Sequence, residues 1–328
     1  MSVTIAELGF EPGKGMAPYD DVESLVVDIN GMSVGDRSYM WVEAEPHTNV
    51  LYHKGEVAEP GHFVSMREDP LVSQVIPTLV AQGGVMLRQR GKREGLYVPT
   101  VEDVNENRTD VSVWSWHGRA VDQGNDAAKW GSDVIGRPVR LVAVSHEEAR
   151  FVEGDPSLGR VGFADAYPFT VGSTRSLELV NERLRAAGKP EITARRPRAS
   201  ILLGGLALPN AAELPDDVFP EDYVEEIHLS GDGLKLVLVR MKACGRCPVP
   251  DTDEVTGIRA GAPVRQALGK LHRNGHHADQ AHYGTSAELF WTQNFIARPP
   301  KGMGPNEVFT IMRGAEVEVV YSTDTNWS

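Results

Sequence analysis

ACGRCPVPDTDEVTG, from Ala243 to Gly257, carries both cysteines of the 328-residue chain, Cys244 and Cys247, with two residues between them. The run before it, LKLVLVRM (Leu234 to Met241), is rich in branched residues and partly alternates, so the pair sits where a strand ends. Pro248, Pro250 and the DTDEVTG that follows read as turns, not helix. Thiolates two residues apart can bite one tetrahedral zinc, but zinc needs two more ligands. The histidines of HRNGHHADQAH (His272, His276, His277, His282) offer no compact zinc spacing and read as surface groups. A thioredoxin-like dithiol belongs at the start of a helix, which the prolines deny. Two readings stay open: a half-buried pair without chemistry, or a soft thiolate suited to a thiophilic metal that brings its own ligands. Lys242 and Arg246, close in sequence to Cys247, favour its thiolate.

Bulk composition narrows the classes. Thirty-three basic against forty-six acidic side chains leave a net charge of −13, which repels a polyphosphate backbone, so nucleic acid is not an expected partner. With 41% hydrophobic and 24% charged residues the chain reads as an ordinary soluble globular protein. MSVTIAELGFEPGKG lacks the features of a secretory signal or a presequence, and a cytoplasmic location is expected. The apolar run ASILLGGLALPNAA is broken by Pro209 and Asn210 before reaching the roughly 20 residues of a bilayer span, so no membrane association is expected. Two cysteines cannot alone hold an iron–sulfur cluster, so electrons for any redox chemistry must come from elsewhere.

Strand character marks Ser38 to Glu45, Val111 to Trp116, Val139 to Ser145, Leu234 to Met241 and Ala315 to Ser322. Helices are expected after Gly124 (NDAAKWGSDVI), stopped by Gly136 and Pro138, and from Ser173 to Ala187, with Leu177, Val180 and Leu184 on one face. Sparse helices among many short strands argue for barrels or curved sheets and against a doubly wound sheet. The expected fold is mainly β (α+β), in two domains spanning residues 1–145 and 146–328.

The cysteine run CGRCPVPDTDEVTG resembles the motif of the MOSC domain family, in the branch of the mitochondrial amidoxime-reducing component and its bacterial relatives. Further stretches follow in the family's order: EPGKG (11–15), VGDRSYMWV (34–42), FVSMREDPL (63–71), VWSWHGRAVDQGNDAAKW (113–130), FADAYPFTVGSTRSLELVN (163–181) and WTQNFIA (291–297). The resemblance implies an N-terminal MOSC β-barrel domain packed on a MOSC domain with a pyruvate-kinase-like β-barrel, and a molybdenum cofactor, Mo-molybdopterin, between them. It implies Cys247 as metal ligand and catalytic centre, with Cys244 a bystander. Gly245 and Arg246, the loop of Asp165, Ala166 and Tyr167, and Lys14, Gly15, Arg37, Arg198 and Ser200 are its expected cofactor contacts. Guanidinium and ammonium groups suit the cofactor's phosphate through charge-assisted hydrogen bonds. Four residues depart from the family: Glu11 stands for a tyrosine, Gly15 for a serine, and Ala199 and Ser200 turn Arg-Pro-Asn into Arg198-Ala199-Ser200.

The implied activity is reduction of N-hydroxylated small molecules, with electrons from a separate ferredoxin, flavoprotein or cytochrome. The alternatives are a non-catalytic carrier of molybdenum cofactor or sulfur, and a pathway-specific MOSC enzyme of secondary metabolism. Asp253 is a candidate proton donor, although a carboxylate in such a turn is expected to cap its own backbone.

Overall fold

The computed structural model describes residues 2–48, 57–207, 217–231, 233–271 and 289–322, and the histidine cluster lies outside them. In chain order the first part runs β1 (Val3–Leu8), β2 (Ser24–Val27), β3 (Tyr39–Glu43), β4 (His47–Thr48), β5 (Val57–Ala58), β6 (Val75–Leu79), β7 (Val85–Gln89), β8 (Gly95–Val98), β9 (Arg108–Val113), β10 (Trp116–Asp122), α1 (Asn125–Ile135) and β11 (Val139–Val144). There follow β12 (Phe169–Ser173), α2 (Thr174–Ala186), β13 (Ile201–Gly204), β14 (Val224–Gly231), β15 (Leu234–Gly245), α3 (Pro263–Leu271), β16 (Phe290–Arg298), β17 (Phe309–Met312) and β18 (Glu316–Tyr321). The fold is mainly β, as the sparse helices led us to expect.

A closed barrel of seven strands, in the order β1-β13-β12-β16-β15-β14-β18, forms around alternate residues that point inward. Ile5, Phe169, Val171, Ile201, Leu203, Ile227, Leu236, Leu238 and Phe295 fill its interior and are fully buried. Burial of each such side chain contributes about 1.5–3 kcal/mol, and closure leaves no strand edge unpaired. β12 and β13 pair in parallel, which requires a crossover, and α2 supplies it. Ser173 caps α2 through a reciprocal bond pattern with Ser176, and Val180 and Leu184 are buried beneath it. β1 comes from the start of the chain, so the barrel draws strands from both sides of residue 145.

Two of the smaller sheets, β3-β11-β10-β9 and β6-β7-β8, share a second core around Trp41, Val75, Leu87 and Leu141, while β17-β2 and β4-β5 form two-stranded pairs. α1 lies directly on Trp41: a Cβ at Gly131 would stand 2.3 Å from its ring, so only glycine lets the helix settle there. Val111 to Trp116 is not the single strand expected. β9 ends at Val113, Trp114 turns with φ 54°, and β10 returns from Trp116 paired to Val113. Local branching hid the turn, because it contains neither glycine nor asparagine. α3, which the sequence reading did not anticipate, packs Val264, Ala267 and Leu268 against Val180 and Leu184 of α2. No helix among the described residues is long and apolar enough to cross a membrane.

Candidate functional site

β15 carries the cysteine motif to the barrel's end. Its pairing with β16 shifts register between Arg240 and Lys242 and again between Ala243 and Gly245, and such bulges bend and twist a strand. Cys244 and Cys247 are both free thiols, half buried, and both line one cavity of about 150 Å³. The facing wall comes from the N-terminal loop (Glu11, Lys14, Gly15, Arg37), from Phe63 to Arg67, and from Trp114. Every expected site residue except Ser200 is among its lining. Ser200 is buried in the barrel, where its hydroxyl accepts the Thr170 N–H at 3.2 Å.

Gly15 has φ 75°, and a Cβ there would press on Val72 at 3.3 Å. Its glycine is thus a backbone requirement of the loop that delivers Lys14. The Lys14 ammonium is almost fully buried, lies over the Phe63 ring at 4.8 Å and pairs with Asp165. Burial pushes it down to about 8, with Asp165 pulling the other way. Asp165 stands deep in the cleft, yet about half of its side chain (53%) remains open to the cavity. It also accepts from Arg67 at 3.1 Å and from the Trp114 indole N–H at 3.1 Å. Burial alone would raise its carboxyl, but Lys14 and Arg67 hold it well below the usual carboxylate range. Arg67 in turn lies 4.0 Å from the Trp114 ring centre, a cation–π contact. Arg150 fastens the loop from behind through the carbonyls of Gly162 (3.0 Å), Ala164 (2.6 Å) and Asp165 (2.9 Å), and burial lowers its guanidinium to about 10.

The guanidiniums assigned to the cofactor's anion are engaged within the protein. Arg37 pairs with Asp36 and, at 3.1 Å, with Glu11; burial opposes its charge, but those two carboxylates raise it above the usual arginine range. Arg198 pairs with the same Glu11 oxygen and donates to the Met16 carbonyl at 3.1 Å. Arg246 directs its guanidinium to the carbonyls of Trp291 (2.7 and 2.5 Å) and Pro197 (2.8 Å) and to the Thr292 hydroxyl. Lys242 pairs with Glu153 at 2.9 Å, over the Tyr167 ring, and the Tyr167 hydroxyl donates to the same carboxylate. Neither sequence neighbour of Cys247 is therefore spent on its thiol.

Arg67, Trp114 and Arg259 escaped the sequence reading, because isolated charges and a hairpin tryptophan resemble ordinary surface residues. The signal for Trp114 is conformational only, a bulky side chain at positive φ. Asp253 behaves as its turn position suggested: its Oδ1 accepts from the N–H groups of Val255 (3.1 Å) and Thr256 (2.7 Å). Despite partial burial those bonds lower its carboxyl, which makes it a poor proton donor.

A closed seven-strand barrel and smaller sheets meet at a cleft lined by two thiols and several cationic side chains, which defines the class as a β-barrel protein with a thiol-bearing cleft. Residues 2–138 match the family described as MOSC N-terminal beta barrel domain. It is similar to mitochondrial amidoxime-reducing component 1 of Mus musculus, 27% identical over 234 residues. That match covers 70% of this chain but 63% of the relative, less than two thirds of its length. A solution structure of a Bordetella bronchiseptica protein shares 23% identity over 34% of this chain and 75% of its own, with a TM-score of 0.25.

Proposed function

We propose that this chain binds a molybdenum–pterin cofactor in the cleft, with the Cys247 sulfur as metal ligand, and reduces N-hydroxylated small molecules. The observation that carries the reading is the meeting of Cys247 with Lys14, Arg37 and Arg198, residues up to 233 positions apart, around one cavity. A soft thiol on one wall and hard cationic groups on the other fit a group that is thiophilic at its metal and anionic at its far end. When bound, the cofactor supplies the two-electron chemistry of N–O cleavage, in which N–OH and two protons become N–H and water.

The chain's own residues bind, orient and enclose. The bulged end of β15 fixes Cys247, while Arg246, pinned to Trp291 and Pro197, keeps the backbone beside it from shifting. Lys14 and Arg67 present charge at Asp165, and the Lys14 Nζ holds a proton that it can surrender only slightly above neutral pH. Phe63 and Trp114, edge to face at 4.7 Å, wall the cavity with aromatic surface. Two cysteines in this sequence cannot by themselves ligate an iron–sulfur cluster, and on this reading the electrons come from a ferredoxin, flavoprotein or cytochrome.

Elemental analysis of the purified protein, paired with reduction of benzamidoxime by an artificial donor, tests this. We expect about one molybdenum per chain and turnover in the parent, with turnover lost in Cys247→Ser. Absence of molybdenum, or full turnover in the variant, overturns the proposal. Molybdenum without turnover points to the carrier alternative.

A further inference from the structure

Glu11 lies in the wall of the cleft, 3% exposed, and one of its oxygens receives both the Arg37 and the Arg198 guanidinium. Its N–H donates to Asp36 at 2.8 Å, so the loop that bears it is tied at the backbone as well. Arg37 and Arg198 have φ of 48° and 54°, in the left-handed region, where a non-glycine residue is held under strain. The surroundings must over-determine such residues, and a shared buried carboxylate does so. The pair bridges the N-terminal loop and the segment entering β13, 187 positions apart.

We propose that Glu11 is a built-in counter-anion, a positioning residue that converts Arg37 and Arg198 from ligand-binding groups into braces and lowers the cleft's affinity for oxyanions. The inference rests on the reading of the cleft as the seat of an anionic group, and it concerns which cations hold that group. A carboxylate and a phosphate compete for the same guanidinium donors, and two anions crowded against them repel. With Glu11 in place, oxyanion binding falls to the cations around Asp165, namely Lys14 and Arg67. Asp165 keeps half its surface open and can be displaced, whereas Glu11 is enclosed.

The test uses inorganic phosphate with the full chain purified free of cofactor, at fixed pH, with sodium chloride matching ionic strength so that screening is constant. Affinity is read by titration calorimetry, and the shift in melting temperature is read alongside. Glu11→Gln is expected to bind phosphate about tenfold more tightly than the parent or better, because a neutral amide no longer repels the ligand. Glu11→Asp keeps the charge but draws it back by one methylene, and an intermediate gain is expected. If Glu11→Gln does not fold, the Glu11→Asp result decides alone. Equal affinity in parent and variants overturns the inference, as does weaker binding in the variants, which would make Glu11 an organiser of the site. Molybdenum plays no part in this measurement, so its failure is separate from failure of the cofactor reading.

Discussion

Arg259 reaches from the loop behind Cys247 to the Met66 carbonyl at 2.9 Å, and its other arm takes the Arg67 carbonyl at 2.7 Å. Its Nε donates to Thr252 at 3.1 Å, so one side chain closes the loop on itself and fastens it to the opposite wall of the cleft. Arg259→Met keeps the stem and removes the donors. Hydrogen bonds from a charged donor contribute roughly 1.5–3 kcal/mol each, partly regained from water, so a net loss of about 2 kcal/mol is expected. Urea unfolding measures it, and Arg259→Lys, which lacks the fork, should restore less than half.

Lys14 makes stability depend on pH in an unusual direction. Its ammonium titrates near 8 in the folded chain and near its ordinary 10.5 when unfolded. Between those values the unfolded chain holds the extra proton, so the Lys14 contribution grows as pH rises through that window and is lost as pH falls through 8. Parent and Lys14→Met, compared by urea midpoint from pH 7 to 10, should diverge in the parent's favour on the alkaline side. A constant difference would show that the amine is not buried as described.

Asp165 gives the same direction in a lower pH window. Lys14 and Arg67 hold its carboxyl below the ordinary range, so its stabilisation is present above the unfolded carboxylate value, about 3.9, and is lost as pH falls below it. Asp165→Asn should be less stable than the parent at pH 7, and the gap should narrow under acid. Thermal melts at pH 3 and 7 check it.

Arg137 tests the N-terminal sheets apart from the cleft. It forks onto both oxygens of the buried Glu43, at 2.8 and 3.0 Å, and also pairs with Asp69. Arg137→Met strands that carboxylate, and removal of one partner of a buried pair costs roughly 3–5 kcal/mol. We expect a fall of that order in unfolding free energy, with phosphate binding to the folded variant unchanged.

How far the sequence reaches into this structure follows the range of the forces involved. α1 and α2 were legible because caps, glycine stops and helical spacing are local: Gly136 and Ser173 mark ends that neighbouring residues alone determine. Class was legible from strand-like runs, and the cleft's residues from the order of short motifs. What stayed hidden depends on distant partners. Nothing near Glu11 announces that it meets Arg198, and nothing near Arg246 shows that its charge is absorbed by backbone carbonyls. The Val111–Trp116 run failed because branched residues on both sides of a turn read as one strand when the turn residue is itself a strand former.

β1 pairs with β13 on one side and β18 on the other, and it is synthesised ahead of both. While the chain grows from the ribosome, at about 5–20 residues per second, Val3 to Leu8 waits for Ile201 to Gly204 to gain one neighbour and for Glu316 and Val317 to gain the other. β1 thus completes its pairing only after the other barrel strands have been made, and until then its apolar face lacks the cover that the closed barrel gives it.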